Sequence, residues 1–392
     1  MVFDNFFFAG FEGSTGYNKN NQWIDEVSLT QHDIFIRTDY FLLRSLGIRG
    51  VRESIRWPLI DSGGRYDFST LKPIIDAAEE YGMEVLYDLF HFGYPEGVDL
   101  FSPDFPARFA DYCAASARYV AEHHAGPFHF APVNEPSFFA WAGGEVGLFA
   151  PHFTGRGAEL KIRLVEAAIQ GIDAIWSVCP EASIVNIDPI CRVAAPPRDA
   201  LIERDAAAFN DTAVFEAWDM LSGRLRPELK GSPKHLCTIG VNYYWTNQWE
   251  MGNPSVPLAD DDERRWPLSK LLKLVWNRYG QQLSLTETGH VGDNRANWLF
   301  ELVNECEVAL AEGIPLESVC FYPILGMQEW HSLGESVPMG MWDLVSDGNI
   351  KQRVPFAPMI DAFAEARRLE KRKQGGTLTT VPNRQRSVAG VG

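Results

Sequence analysis

Short apolar runs alternate with amphipathic stretches along most of the chain. The first run lies near residues 6–9 and opens into a loop with Gly10, Gly13 and Gly16. The spacing then predicts a helix over 29–47, with Ile34, Tyr40, Leu43 and Leu46 toward its buried side. A strand at 48–55 precedes a helix over 68–81 that Gly82 stops. A third strand, 83–89, leads to a helix over 106–124 with Phe109, Tyr112, Cys113 and Val120 along one stripe. A fourth strand ends at Glu135 and is followed by a helix over 160–178. A fifth strand at 184–187, a helical stretch at 213–221, a sixth strand at 238–244 and a helix over 269–279 come next. The seventh strand ends at Glu287, with a helix over 297–312 behind it. The eighth covers 319–322, and a helix over 358–369 is the last.

Eight strand–helix units without a linker predict an α/β fold, a single (β/α)8 TIM barrel over residues 1–370. The strands read as near-continuous apolar runs, as they do when both faces are buried. A doubly wound sheet is the competing topology, but no Gly-rich dinucleotide fingerprint follows the first strand. Residues 371–392 are basic, rich in Gly and Thr and aperiodic, and read as a disordered tail.

Composition narrows the partners. A formal charge of -17 argues against nucleic acid and against anionic membrane. No apolar run approaches membrane-spanning length, and residues 6–9 are too short for a signal peptide, so a cytoplasmic protein is expected. The cysteines Cys113, Cys179, Cys191, Cys237, Cys306 and Cys320 are scattered without ligand spacing and read as buried reduced thiols, not a zinc site. The acidic run Asp260, Asp261, Asp262 and Glu263 reads as a solvated loop face.

The chemistry is concentrated at two strand ends. The run Phe128 to Val133 closes on Asn134, Glu135 and Pro136; the run from Gln282 closes on Thr286, Glu287, Thr288 and Gly289. A carboxylate at the end of a buried strand needs a partner or a task, because desolvating a charge is costly. In a barrel the strand C-termini form the functional face, and two acids there suit glycosidic bond cleavage. Taken alone, both acids also fit structural ion pairs. Arg52 fits a barrel salt bridge to some other acid, and Tyr244 and Tyr322 fit plain packing.

The ordered blocks resemble glycoside hydrolase family 1, the β-glucosidases, within the clan A retaining glycosidases. Besides Asn134-Glu135-Pro136 and Thr286-Glu287, the blocks are His91-Phe92-Gly93-Tyr94-Pro95, Phe149-Ala150-Pro151, Ile239 to Tyr244 with Asn242, and Glu329-Trp330. The resemblance implies a retaining mechanism with Glu135 as acid/base and Glu287 as nucleophile. It implies that Arg52 and Tyr244 hold Glu287, that Asn134 and His91 meet sugar hydroxyls, and that Glu329 and Trp330 grip the far side of the ring. Tyr322 takes the place of the aromatic floor under the sugar. Gly10 stands where that family carries a Gln for outer hydroxyls, with Glu12 as the nearest substitute, and Thr288 stands where it carries an Asn. These departures mark a divergent branch. Trp249, Trp266 and His290 are candidates to line the entrance.

A carbohydrate substrate is expected, and no metal or organic cofactor, since two carboxylates supply the chemistry. Hydrolysis of a small β-linked glycoside is the first reading. A transglycosylase would use the same two carboxylates, and a non-catalytic sugar-binding barrel is the third alternative.

Overall fold

The computed structural model describes residues 2–197 and 200–373, the side chains of 371–373 excepted. Eight parallel strands close into a barrel: β1 (Phe7–Gly10), β2 (Gly50–Ser54), β3 (Glu84–Asp88), β4 (His129–Ala131), β5 (Ser183–Pro189), β6 (Thr238–Asn242), β7 (Leu283–Thr288) and β8 (Leu316–Phe321). Consecutive strands pair, and β8 pairs with β1 to close the ring. The surrounding helices are α1 (His32–Leu46), α2 (Lys72–Tyr81), α3 (Phe105–His123), α4 (Gly157–Val178), α5 (Glu216–Leu221), α6 (Leu268–Tyr279), α7 (Arg295–Ala311) and α8 (Ala357–Ala366). This is the expected (β/α)8 architecture. Among the described residues no helix is long and apolar enough to cross a membrane.

The alternation of side chains along a strand sorts residues into two layers. In β2, Gly50 and Arg52 belong to the barrel interior, while Glu53 faces α1. Phe3, Phe8, Leu86, Val185, Ile187 and Cys320 form an inner apolar cluster that fills the lower barrel. The much larger cluster lies between strands and helices. Gly82 ends α2 as expected: its φ of 58° is the left-handed conformation that glycine adopts freely, and its N–H returns to the Ala78 and Glu79 carbonyls.

Two expectations need correction. Ile34 is 68% exposed, and the buried face of α1 carries His32, Ile36, Asp39, Tyr40 and Leu43 instead. A break in helical geometry at Phe35 shifts the phase, and a polar cluster fixes it. His32 lies 2.8 Å from Asp39 and 3.1 Å from Glu53, and the Tyr40 hydroxyl donates to Glu53 at 2.8 Å. The stretch 213–221 is helical as expected, a 3-10 turn, Ala213–Phe215, leading into α5. Cys191 and Cys237 are only partly buried, unlike the other four cysteines; Cys191 lies on a cavity wall.

Several elements have no counterpart in the apolar pattern. They are a π-helical turn (Ala140–Glu145), a helix (Ala200–Asp211), a small sheet (Arg192–Ala194, Gln248–Glu250, Asn253–Pro257) and a hairpin (Trp342–Asp347, Ile350–Pro355). All lie in connections that leave the C-terminal ends of strands, the face on which barrels build their sites. A last helix, Arg368–Lys373, runs past the expected barrel limit at 370, and the rest of the expected tail lies outside the described residues.

Candidate active site

Glu135 stands just past β4. Asn134 bridges Ile187 of β5, and the Glu135 N–H donates to the Ile187 carbonyl at 3.1 Å. The φ of Glu135 is 47°, a left-handed conformation that a non-glycine residue keeps only where its surroundings fix it. Asp188 of β5 supplies part of that fixing, accepting from Ser137 N at 3.0 Å and from Ser137 Oγ at 2.6 Å.

Arg52, fully buried in β2, joins four strands through one guanidinium. Nη1 donates to Glu287 Oε1 at 2.6 Å and to the Thr286 carbonyl at 3.0 Å. Nη2 donates to Asn134 Oδ1 at 2.9 Å and lies 2.7 Å from Asp88 Oδ2, while Nε donates to Asp88 Oδ1 at 3.1 Å. The planar fork matches such carboxylate geometry, which a lysine would not. Tyr244 Oη donates to Glu287 Oε2 at 2.9 Å, so both oxygens of Glu287 are held. Asn242, the register partner of Glu287 across β6 and β7, donates from Nδ2 to Glu135 Oε1 at 2.9 Å. Its Oδ1 accepts from Thr286 Oγ1 at 2.7 Å, which sets the amide orientation.

The two acids have different neighbours. Burial raises the Glu135 pKa well above the usual carboxylate range, and the Glu287 and Asp188 charges raise it further, against the Asn242 hydrogen bond. Glu287 instead has Arg52 and Tyr244 on its oxygens. Burial alone would raise Asp88, but Arg52 and His91 outweigh it and hold this carboxyl below its usual range. Burial likewise lifts Asp188 to about 6, against the two Ser137 hydrogen bonds.

His91 Nδ1 lies 3.0 Å from Asp88, and its Nε2 faces the Tyr322 hydroxyl at 3.2 Å and Asn134 Nδ2 at 3.3 Å. Tyr322 differs from its expected place. It is 2% exposed and does not line the cavity; its ring stacks on His91 and its hydroxyl accepts from Gly13 N–H at 3.2 Å. The reason is Gly10: a Cβ there would lie 2.0 Å from the Tyr322 ring. The missing side chain at position 10 and the buried tyrosine are therefore one packing solution. Gly10→Ala should destabilise the fold by about 1–3 kcal/mol through overpacking, and Tyr322→Ala in that background should recover part of the loss. Urea unfolding of the single and double variants checks this; an additive double variant would sink the coupling.

A cavity of about 820 Å³ opens over these residues. Glu12, His91, Glu135, Tyr244, Glu287, Glu329 and Trp330 line its polar end. Arg52, Asn134 and Asn242 are buried behind them. Glu12 accepts from Ser14 N at 2.9 Å and from Ser14 Oγ at 2.6 Å and lies 3.7 Å from His91. Glu329 accepts from His331 N–H at 2.7 Å. The buried indole N–H of Trp330 has no protein partner. Of the entrance candidates, Trp249 lines the cavity. Trp266 packs under Arg192 and Lys270, and His290 stacks behind Trp245. Sequence reasoning passed over Asp88 and Asp188. Asp88 had the same signal as Glu135, an acid closing an apolar strand; Asp188 sat just beyond a strand drawn too short.

No family model matches the chain. A coniferin β-glucosidase of Pinus contorta is 29% identical over 136 residues, which is 32% of this chain and 26% of that protein. The chain thus spans about a quarter of the length of the curated relative it matches. Solved structures match over nearly the whole fold. The AHE enzyme of Alicyclobacillus herbarius superposes with a TM-score of 0.75 at 18% identity, over 94% of this chain and 98% of that one. A family 1 β-glucosidase of Thermotoga maritima gives 0.72 at 16% identity, over 95% and 98%. The Thermotoga maritima β-glucosidase bound to glucoimidazole gives 0.74 at 16%, over 95% and 99%. The chain shares the barrel fold of these proteins.

Proposed function

We propose that this protein is a retaining β-glycosidase that cleaves a small β-linked glycoside by double displacement. The observation that carries the reading is the buried pair of Glu135 and Glu287 on one cavity, one held by Asn242 and the other by Arg52 and Tyr244. Burial and the Glu287 charge let Glu135 keep its proton to higher pH than an ordinary carboxyl, which suits it to be the acid. Glu287, held on both oxygens by Arg52 and Tyr244, is the nucleophile.

Attack by a Glu287 oxygen on the anomeric carbon breaks the glycosidic bond as Glu135 protonates the departing oxygen. The covalent ester removes the Glu287 charge. One of the influences that kept Glu135 protonated disappears with it, so the carboxylate left by proton donation persists and serves as base. It takes a proton from water, the water oxygen displaces Glu287, and both acids return to their starting states. Asn134 and His91 are assigned to hydroxyls near the reacting carbon, Glu329 and Trp330 to the far side of the ring. Tyr322 acts through His91 and not as a floor. The likeness in fold to β-glucosidases supports glycoside hydrolysis as the reaction class.

The test is trapping with 2-deoxy-2-fluoro glycosides that carry a good leaving group, in gluco, galacto, manno and fuco forms, read by intact mass and peptide mapping. An adduct on Glu287 is expected from at least one form. An adduct on another residue overturns the nucleophile, and no adduct with any form, joined to no turnover of nitrophenyl glycosides, overturns the reaction.

A further inference from the structure

Beyond the carboxylates the cavity changes character. Three successive connections, those leaving β4, β5 and β6, build its outer wall. Their side chains there include Phe138, Trp141, Phe209, Val214, Trp245 and Trp249. Phe138 packs on Trp141 and Phe209 on Trp249, each pair with centroids 5.8 Å apart. Trp141 is 43% exposed, so the apolar lining runs out to solvent.

Three of the polar side chains of this outer wall, Ser137, Lys161 and Asn247, are already engaged. Ser137 Oγ donates to Asp188 at 2.6 Å, and Lys161 Nζ to Glu216 at 2.8 Å. Asn247 Oδ1 accepts from Tyr244 N at 2.6 Å, and its Nδ2 donates to Cys191 Sγ at 3.1 Å. A second sugar ring would bring hydroxyls that lose water and gain few partners, which is unfavourable. An apolar group loses nothing there and gains burial. A negatively charged group would meet Glu12, Glu287 and Glu329 on the same cavity, with Lys161 neutralised by Glu216.

We infer that the outer cavity is a site for a bulky, uncharged, apolar aglycone, so that the substrate class is a monoglycoside of an aromatic or alicyclic alcohol and not an oligosaccharide. This rests on the β-glycosidase reading above. It deepens that reading by naming what is attached to the sugar.

The experiment is equilibrium binding of n-alkyl 1-thio-β-glycosides from methyl to octyl, in gluco, galacto, manno and fuco series, beside an S-linked disaccharide. Intrinsic tryptophan fluorescence and calorimetry read the affinities, and nitrophenyl glycoside turnover is measured on the same preparation. In at least one series Kd should fall about fourfold with each buried methylene. The disaccharide should bind no tighter than the methyl glycoside, and Trp249→Ala should flatten the chain-length slope. A Kd independent of chain length in every series, absent binding of all octyl forms, or a disaccharide that outbinds the octyl glycoside overturns the proposal. Chain-length dependence without turnover would sink the catalytic reading and leave the apolar site standing; turnover with a flat slope would do the reverse.

Discussion

Glu287→Ala should lower kcat for an aryl β-glycoside on the order of 10⁵-fold, the scale seen when a covalent nucleophile is removed. Folding should survive, because the variant leaves Arg52 paired with Asp88 through Nε and Nη2. The loss should be rescued in a specific way. Azide added to the variant can occupy the space left by the carboxylate and attack the anomeric carbon from that face. With Glu135 still able to protonate the leaving oxygen, the product is a glycosyl azide of inverted, α configuration, identified by NMR. Wild-type activity in Glu287→Ala, or azide rescue that gives the β product, would remove Glu287 from the role of nucleophile.

Glu135→Ala should lower kcat/KM by about 10²- to 10⁴-fold for a substrate whose leaving group needs a proton. The loss should shrink for dinitrophenyl glycosides, whose leaving group departs without one. The pH dependence carries a definite sign. On the proposed mechanism the protein works while Glu135 is protonated, and burial together with the Glu287 charge holds its pKa above the ordinary carboxylate range. Activity should therefore persist above the pH at which an exposed glutamate has ionised, and fall as the pH rises through the Glu135 pKa. In Glu135→Ala that alkaline fall should vanish, since the group responsible is gone. Persistence of the same alkaline limb in the variant would assign it to another residue. Glu287→Ala offers a cross-check: one of the influences that raise Glu135 is removed, so its titration, followed by carboxyl NMR, should shift down.

Much of this site was legible in the sequence. A buried strand must be apolar, so an acid at its end stands out, and Glu135 and Glu287 did. Strand ends in a closed barrel converge on one face, so recognising the repeat was enough to place both acids on the same side of the molecule. Gly82 was legible for a similar reason, because a helix stop depends on one residue's backbone. Asp88 was missed although its signal was present; it sat inside a run read as core.

Other features had no local signal. Ile34 fits an apolar stripe, yet the buried contacts of His32 with Asp39 in the same helix and with Glu53 of β2 turned α1 so that Ile34 faces water. Gly10 reads as the loss of a polar side chain, and nothing nearby reveals that Tyr322 fills the space. The apolar outer cavity is assembled from three connections whose aromatic residues look, one at a time, like ordinary core.

The sequence by itself thus determined the barrel, its helix stops and the two carboxylates, because each follows from periodicity or from a residue out of place in its own segment. Tertiary structure alone decided which groups hold those carboxylates, that burial raises the Glu135 pKa, and what surrounds them. Those properties depend on distances between residues from different strands, and such distances exist only once the ring is closed.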